Sequence, residues 1–188
     1  MARTPSAMVG LGTPAPDFDL PETEGGRARL SDHEGAPALL VMFICNHCPF
    51  VIHVREALAA LGRDLMPRGL AIVAISSNDA EQYPQDSFEA MREERRAAGY
   101  PFPYAYDATQ EVARAYGAAC TPDFFLYDAA RRLAYRGQLD ASRPGSGLPV
   151  TGEDLRAACE ALLTTGAVPA HLPQRPSLGC NIKWRAEG

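Results

Sequence analysis

Ala38-Leu39-Leu40-Val41-Met42-Phe43-Ile44 runs without a break into Cys45-Asn46-His47-Cys48-Pro49-Phe50-Val51. The apolar run fits a strand buried on both faces. Beyond the two cysteines, Val51, Val54, Leu58, Leu61 and Leu65 recur at the spacing of one helical face. The pair therefore sits where a buried strand turns into a helix. A helix that starts there aims unpaired N–H groups and the positive end of its dipole at the first sulfur. Thiolate is then favoured over thiol, and the thiolate is the nucleophile. Cys45 is expected at the helix N-cap, as the more exposed of the two and as the attacking sulfur. Cys48, one turn inside, is expected to resolve the mixed disulfide. A protonated His47 between them would lower the Cys45 pKa further. Pro49 fits a first helical turn, where its missing N–H is not needed.

Working outward, Gly69 ends this helix and Leu70 to Ile75 reads as a second buried strand, so strand, helix and strand form a parallel crossover. Upstream, Phe18-Asp19-Leu20 and Arg27-Ala28-Arg29-Leu30 flank Gly25-Gly26 as a β-hairpin. Residues 1–16, with Pro5, Pro14 and Pro16, read as an irregular arm. Downstream, Asp86 and Glu89 resemble a capping box for a helix running to Gly99. Tyr104 to Asp107 suits a short strand, and Thr109 is expected to cap a brief helix closed by Gly117. Asp123 to Asp128 and Arg132 to Gly137 form an antiparallel hairpin. Thr151 and Asp154 are expected to open a last helix bearing Leu155, Ala158 and Leu162. The proline-bearing tail from Ala167 is expected to drape over the body.

The chain has 188 residues, 46% hydrophobic and 22% charged, with net charge −5. It is long enough for one real core, and no basic cluster points to nucleic acid. No segment has the length of a membrane span or of a signal-peptide core, so the expected compartment is the cytoplasm. The five cysteines, Cys45, Cys48, Cys120, Cys159 and Cys180, are an odd number. In a reducing compartment a CxxC indicates redox or metal chemistry in preference to a permanent staple.

The order of elements, with Thr121-Pro122 downstream of the cysteine pair, resembles the thioredoxin fold in its long, peroxiredoxin-like form. Phe43-Ile44-Cys45-Asn46-His47-Cys48-Pro49-Phe50-Val51, the segment Tyr104 to Asp128 and Gly179-Cys180-Asn181-Ile182-Lys183-Trp184 resemble a thioredoxin-like, AhpC/TSA-type group of bacterial proteins. The resemblance runs from about Pro14 to Trp184. It implies an α/β fold, a three-layer α/β/α sandwich with a central mixed sheet, an N-terminal hairpin extension and an extended C-terminal tail. The whole chain, 1–188, is then one domain with its core at about 14–166, an arm at 1–13 and a tail at 167–188. The implied activity is thiol-disulfide exchange without a cofactor, with Cys45, His47 and Cys48 as catalytic residues. Partners would be protein or small-molecule disulfides and thiols, plus a reductant such as thioredoxin or a low-molecular-weight thiol, with no nucleic acid and no membrane. By analogy with oxidising relatives that carry His in the same slot, the couple is expected to be more oxidising than typical thioredoxin. Thr121-Pro122 resembles the cis-proline loop that faces the CxxC, with the Thr121 backbone free to pair with a substrate strand.

Cys120, beside Thr121, is either an auxiliary thiol or a small buried hydrophobe facing away, the second being preferred. Cys159 belongs to the core side of the last helix. Cys180 either packs the tail or acts as a distal resolving thiol, packing being preferred. Trp184 anchors the tail. The enzymatic rival is an antioxidant thiol peroxidase acting through Cys45. The Thr-x-x-Cys pattern of such enzymes is absent, because its Thr slot holds Cys45 or Met42. A zinc site on Cys45 and Cys48 completed by His53, Cys180 or Cys120 lacks a second CxxC or CxxH, so no metal is expected. A binding module with a vestigial CxxC is the third alternative.

Overall fold

Five strands form the central sheet of the computed structural model, which describes residues 3–186. Their order is β6 (Tyr104–Tyr106), β5 (Leu70–Ser76), β4 (Ala38–Phe43), β8 (Asp123–Tyr127), β9 (Leu133–Gly137). The expected crossover is present: β4 and β5 pair in parallel, Ala38 opposite Leu70 through Phe43 opposite Ile75. β8 and β9 complete a mixed sheet by antiparallel pairing. All six residues of β4 are buried, because apolar layers cover both faces.

Alternation along β4 sorts its side chains between those layers. Leu40, Met42 and Ile44 meet Val51, Val54 and Leu58 of α1 (Pro49–Leu65), Met91 of α2 (Phe88–Ala98) and Leu155, Ala158 and Leu162 of α4 (Glu153–Thr165). Leu39, Val41 and Phe43 meet Phe18, Leu20, Ala28, Tyr116 of α3 (Glu111–Tyr116) and Ile182 of the tail. The hairpin of β2 (Asp19–Pro21) and β3 (Arg27–Arg29) turns through Gly25 and Gly26, both at positive φ as the Gly-Gly signal requires. Among the described residues no helix is long and apolar enough to cross a membrane.

Both ends of the chain depart from the sequence expectation. In the supposed arm, β1 (Arg3–Pro5) is a strand, with Pro5 at its end opposite Leu178. It pairs with β10 (Leu178–Asn181), which pairs on its other side with β7 (Cys120–Thr121). Pro5 did not deny this strand because a proline at an edge forfeits no ladder bond that the sheet needs. The tail does drape over the body, but as the middle strand of a small sheet. Met1 and Ala2, the rest of that arm's beginning, lie outside the described residues.

Three helix starts also differ. The cap of α2 is Ser87, whose Oγ accepts from Ala90 N at 3.3 Å, which leaves Asp86 free for another use. Gln110, at φ 65°, caps α3 in place of Thr109. Gly152, at φ 68°, caps α4 in place of Thr151. Its N–H and that of Thr151 are held by Asp140 Oδ2 at 2.6 and 2.8 Å.

Candidate active site

The dithiol lies at the junction of β4 and α1, where Ile44 N still bonds Ile75 O at 3.0 Å before the chain leaves the sheet. Cys48, not Cys45, is the helix N-cap, and Pro49 is the first helical residue. The helix starts later than expected because proline is best placed at N1. The dipole and the free N–H groups therefore serve Cys48 first. Neither sulfur is openly presented: Cys45 is 2% exposed and Cys48 0%.

Thr121 faces both sulfurs from the loop opposite. Its peptide bond to Pro122 is cis, as the resemblance implied. Thr121 Oγ1 lies 3.4 Å from Cys45 Sγ, and the neutral Cys48 thiol donates to Thr121 O at 3.2 Å. The backbone edge expected to receive a substrate strand is already taken, because Thr121 stands opposite Cys180 of β10. An exposed edge invites pairing, and here the chain's own tail supplies it. Trp184 helps hold that tail, with the Arg114 guanidinium 4.6 Å over its ring.

Asp86 is the residue that sequence reading missed. It sits in a 3-10 turn (Pro84–Asp86), fully buried, and points at the cysteine loop. Its Oδ1 accepts from Asn46 N at 2.8 Å and His47 N at 3.4 Å. Its Oδ2 accepts from Asn78 Nδ2 at 2.8 Å and lies 2.5 Å from His47 Nδ1. The His47 ring stacks on Tyr83, with centroids 5.4 Å apart. Asn78 also accepts from Lys183 N at 2.8 Å, so one amide ties the Asp86 carboxylate to the tail. The carboxylate, not the Cys45 sulfur, is the close partner of the imidazole. Only the distant order of Asn78, Asp86 and Lys183 in the chain hid this cluster from sequence.

The two sulfurs titrate as a unit. The Cys48 thiol is pulled down to about 5, first by the hydrogen bond from Cys45, against burial, with help from Cys180 and Thr121. Cys45 is pushed well above the ordinary thiol range by that same hydrogen bond, by burial and by the negative charge of Asp86. One negative charge is thus shared across the pair and held mainly on the sulfur at the helix end. Burial pushes Cys120 and Cys159 far up, and burial together with Cys48 pushes Cys180 up to about 12, so all three rest as neutral thiols.

Cys45 Sγ, a ring nitrogen of His47 and a carboxylate oxygen of Asp86 lie within 4.8 Å of one another. These donor types suit zinc. Both Asp86 oxygens, however, already accept two hydrogen bonds each, which a cation would have to displace. Of the three residues that sequence offered to complete such a site, His53 is engaged elsewhere, with Nε2 3.0 Å from Ser142 Oγ.

Residues 11–136, well over half of the chain, match the AhpC/TSA family. The chain belongs to the AhpC/TSA family. This AhpC/TSA protein is 28% identical over 127 residues to the thiol-disulfide oxidoreductase ResA of Geobacillus thermodenitrificans, covering 66% of this chain and 67% of ResA. An uncharacterized conserved protein from Geobacillus kaustophilus has a crystal structure that matches with a TM-score of 0.96 at 54% identity, over 100% of this chain and 99% of that one. A putative thiol:disulfide interchange protein DsbE from Chlorobium tepidum matches with a TM-score of 0.65 at 23% identity, over 82% of this chain and 99% of that one. That likeness establishes the fold, which is thioredoxin-like.

Asp123, next to Pro122, gives the site a pH-dependent neighbour. It is fully buried; Oδ2 accepts from Ala119 N at 3.2 Å, while Oδ1 has no hydrogen-bond partner among the described residues. Burial raises its pKa to about 7. The folded protein therefore holds this proton more tightly than the unfolded chain does. The stability so gained is full below about pH 4 and is lost as pH rises through 7, on the order of a few kcal/mol. Asp123→Asn is expected to melt like wild type at pH 4 and several degrees higher at pH 8. A melting difference independent of pH would refute the burial of this carboxyl.

Proposed function

We infer that this AhpC/TSA protein is a thiol-disulfide oxidoreductase whose working pair is Cys45 and Cys48. One observation carries this reading: two sulfurs at a strand-to-helix turn face the cis Thr121-Pro122 loop, with Thr121 atoms 3.4 and 3.2 Å away. The pair holds a negative charge at neutral pH, and a thiolate is what attacks a disulfide. In the forward step the Cys45 proton crosses to Cys48, and Cys45 Sγ attacks one sulfur of the partner. The partner's second sulfur leaves as a thiol. Cys48, again deprotonated, then attacks Cys45 Sγ, forms Cys45–Cys48 and releases the partner fully reduced. A reductant such as thioredoxin or a low-molecular-weight thiol would then reduce Cys45–Cys48 back to two thiols and itself be oxidised to a disulfide. The partner must be a small disulfide, or a protein that waits for the tail to lift from Thr121.

His47 is proposed to steer protons between solvent and Cys45. Because the close partner of its ring is the Asp86 carboxylate and not a cysteine sulfur, a couple more oxidising than thioredoxin has weaker electrostatic support than the sequence suggested.

Cys48→Ser tests the assignment. Incubated with a disulfide such as oxidised glutathione, this variant is expected to stop at a stable adduct on Cys45, seen by mass spectrometry. Adducts confined to another cysteine would defeat it. A second reading, antioxidant reduction of peroxide, is favoured by the Thr121 hydroxyl beside Cys45, which supplies from the facing loop what the sequence window lacks. The same variant separates the two, because peroxide would leave Cys45 as a sulfenic acid and not as a mixed disulfide.

A further inference from the structure

Cys180 is the residue of the tail that faces the loop opposite the dithiol. It stands directly opposite Thr121 in the antiparallel pair of β10 with β7. Residues so paired send their side chains to the same face of a sheet. The Thr121 side chain reaches the Cys45 sulfur, so that of Cys180 also points at the dithiol. Cys180 is only 2% exposed and is buried in the same core cluster as Cys45 and Cys48, and each of Cys48 and Cys180 shifts the titration of the other. Its position is enforced by Gly179. A Cβ there would stand 2.0 Å from Thr121 O, so only glycine lets the tail approach the loop this closely. Cys120 and Cys159 show no such arrangement. The Cys120 thiol points to Pro122 O at 3.7 Å, and Cys159 is buried within α4.

We propose that Cys180 is a third redox thiol of this site, able to take Cys48 from Cys45. The proposal rests on the dithiol reading above. Once a partner disulfide has been reduced and Cys45–Cys48 has formed, the Cys48 charge that holds the Cys180 proton is gone, and Cys180 gives up that proton as it attacks Cys48 Sγ. The Cys45–Cys48 bond breaks and Cys48–Cys180 forms. Cys45 leaves as a thiolate and takes up the proton that Cys180 gave up. No outside oxidant or reductant enters, because one disulfide replaces another. Cys48 is the shared sulfur, with Cys45 and Cys180 as alternative partners. The second bond would fasten the tail strand to the start of α1 while returning Cys45 as a free thiol.

Disulfide mapping tests this on the full-length protein. Wild type, Cys180→Ser and Cys45→Ser are equilibrated in a series of glutathione redox buffers, blocked with N-ethylmaleimide, digested and analysed by mass spectrometry. Wild type is expected to give both Cys45–Cys48 and Cys48–Cys180, with part of Cys45 alkylated. In Cys180→Ser, alkylated Cys45 is lost from the oxidised fraction, leaving Cys45–Cys48 alone. Cys45→Ser, which keeps the tail sequence intact, is expected to form Cys48–Cys180. If Cys45→Ser forms no such bond in any buffer while its melting curve stays cooperative, the proposal is overturned. Turnover of a small disulfide by wild type, measured in parallel, judges the dithiol reading separately. Loss of turnover with Cys48–Cys180 still forming would count against that reading alone.

Discussion

Asp86→Ala is expected to lower the melting temperature by on the order of 10 °C and, at the same time, to make the dithiol more acidic. The carboxylate is fully buried and accepts from Asn46 N, His47 N, His47 Nδ1 and Asn78 Nδ2. Truncation leaves buried donors without an acceptor, a loss of about 3–5 kcal/mol for a broken buried pair. A protein of this size shifts by about 2–4 °C per kcal/mol. The second effect has the opposite flavour. Asp86 contributes a negative charge that opposes ionisation of Cys45, so its removal eases formation of the thiolate. Thermal melts and ultraviolet thiolate absorbance against pH read the two effects separately. A destabilised variant with an unchanged thiolate titration would show that Asp86 only shapes the loop. A variant as stable as wild type would contradict the buried network itself.

Gly179→Ala should uncover the dithiol. The added Cβ would meet Thr121 O at 2.0 Å and Thr121 C at 2.6 Å, both backbone atoms that cannot swing aside. The tail must therefore draw back from β7, carrying Cys180 away from Cys48 and opening the edge beside Thr121. Overpacking of this kind costs about 1–3 kcal/mol, and local opening becomes cheaper by the same amount. Alkylation of Cys45 and Cys48 by iodoacetamide at fixed pH is then expected to speed up by roughly ten- to a hundredfold, since about 1.4 kcal/mol is a factor of ten. An unchanged rate would mean that β10 does not control access to the sulfurs.

Much of the fold was legible because it follows from local pattern. The unbroken apolar run from Ala38 announced a strand covered on both faces, and it forms six buried residues of β4. The helical spacing of Val51, Val54, Leu58, Leu61 and Leu65 gave α1 its core face, and all five are buried. Gly25-Gly26 marked the hairpin turn, and Gly69, Gly99 and Gly117 marked helix ends, each at positive φ. Caps were less legible. Asp86, Thr109 and Thr151 had suitable side chains for helix starts, yet Ser87, Gln110 and Gly152 hold those positions. A side chain that can cap can equally serve a distant donor, and only packing chooses between the two.

The sequence by itself determined the strand and helix pattern and a dithiol where a buried strand meets a helix, while the Thr-Pro loop that faces it was implied by the family resemblance. Strand and helix periods and the reactivity of paired sulfurs are properties of near neighbours in the chain. The tertiary structure decided which groups surround those sulfurs. It turned Asp86 from a cap into the anchor of His47, placed the Thr121 hydroxyl beside Cys45, and laid Cys180 against Cys48 on a strand that closes the substrate edge. Each of these contacts joins residues far apart in sequence, and pairing over such distances is fixed by sheet register and burial, which no local spacing encodes.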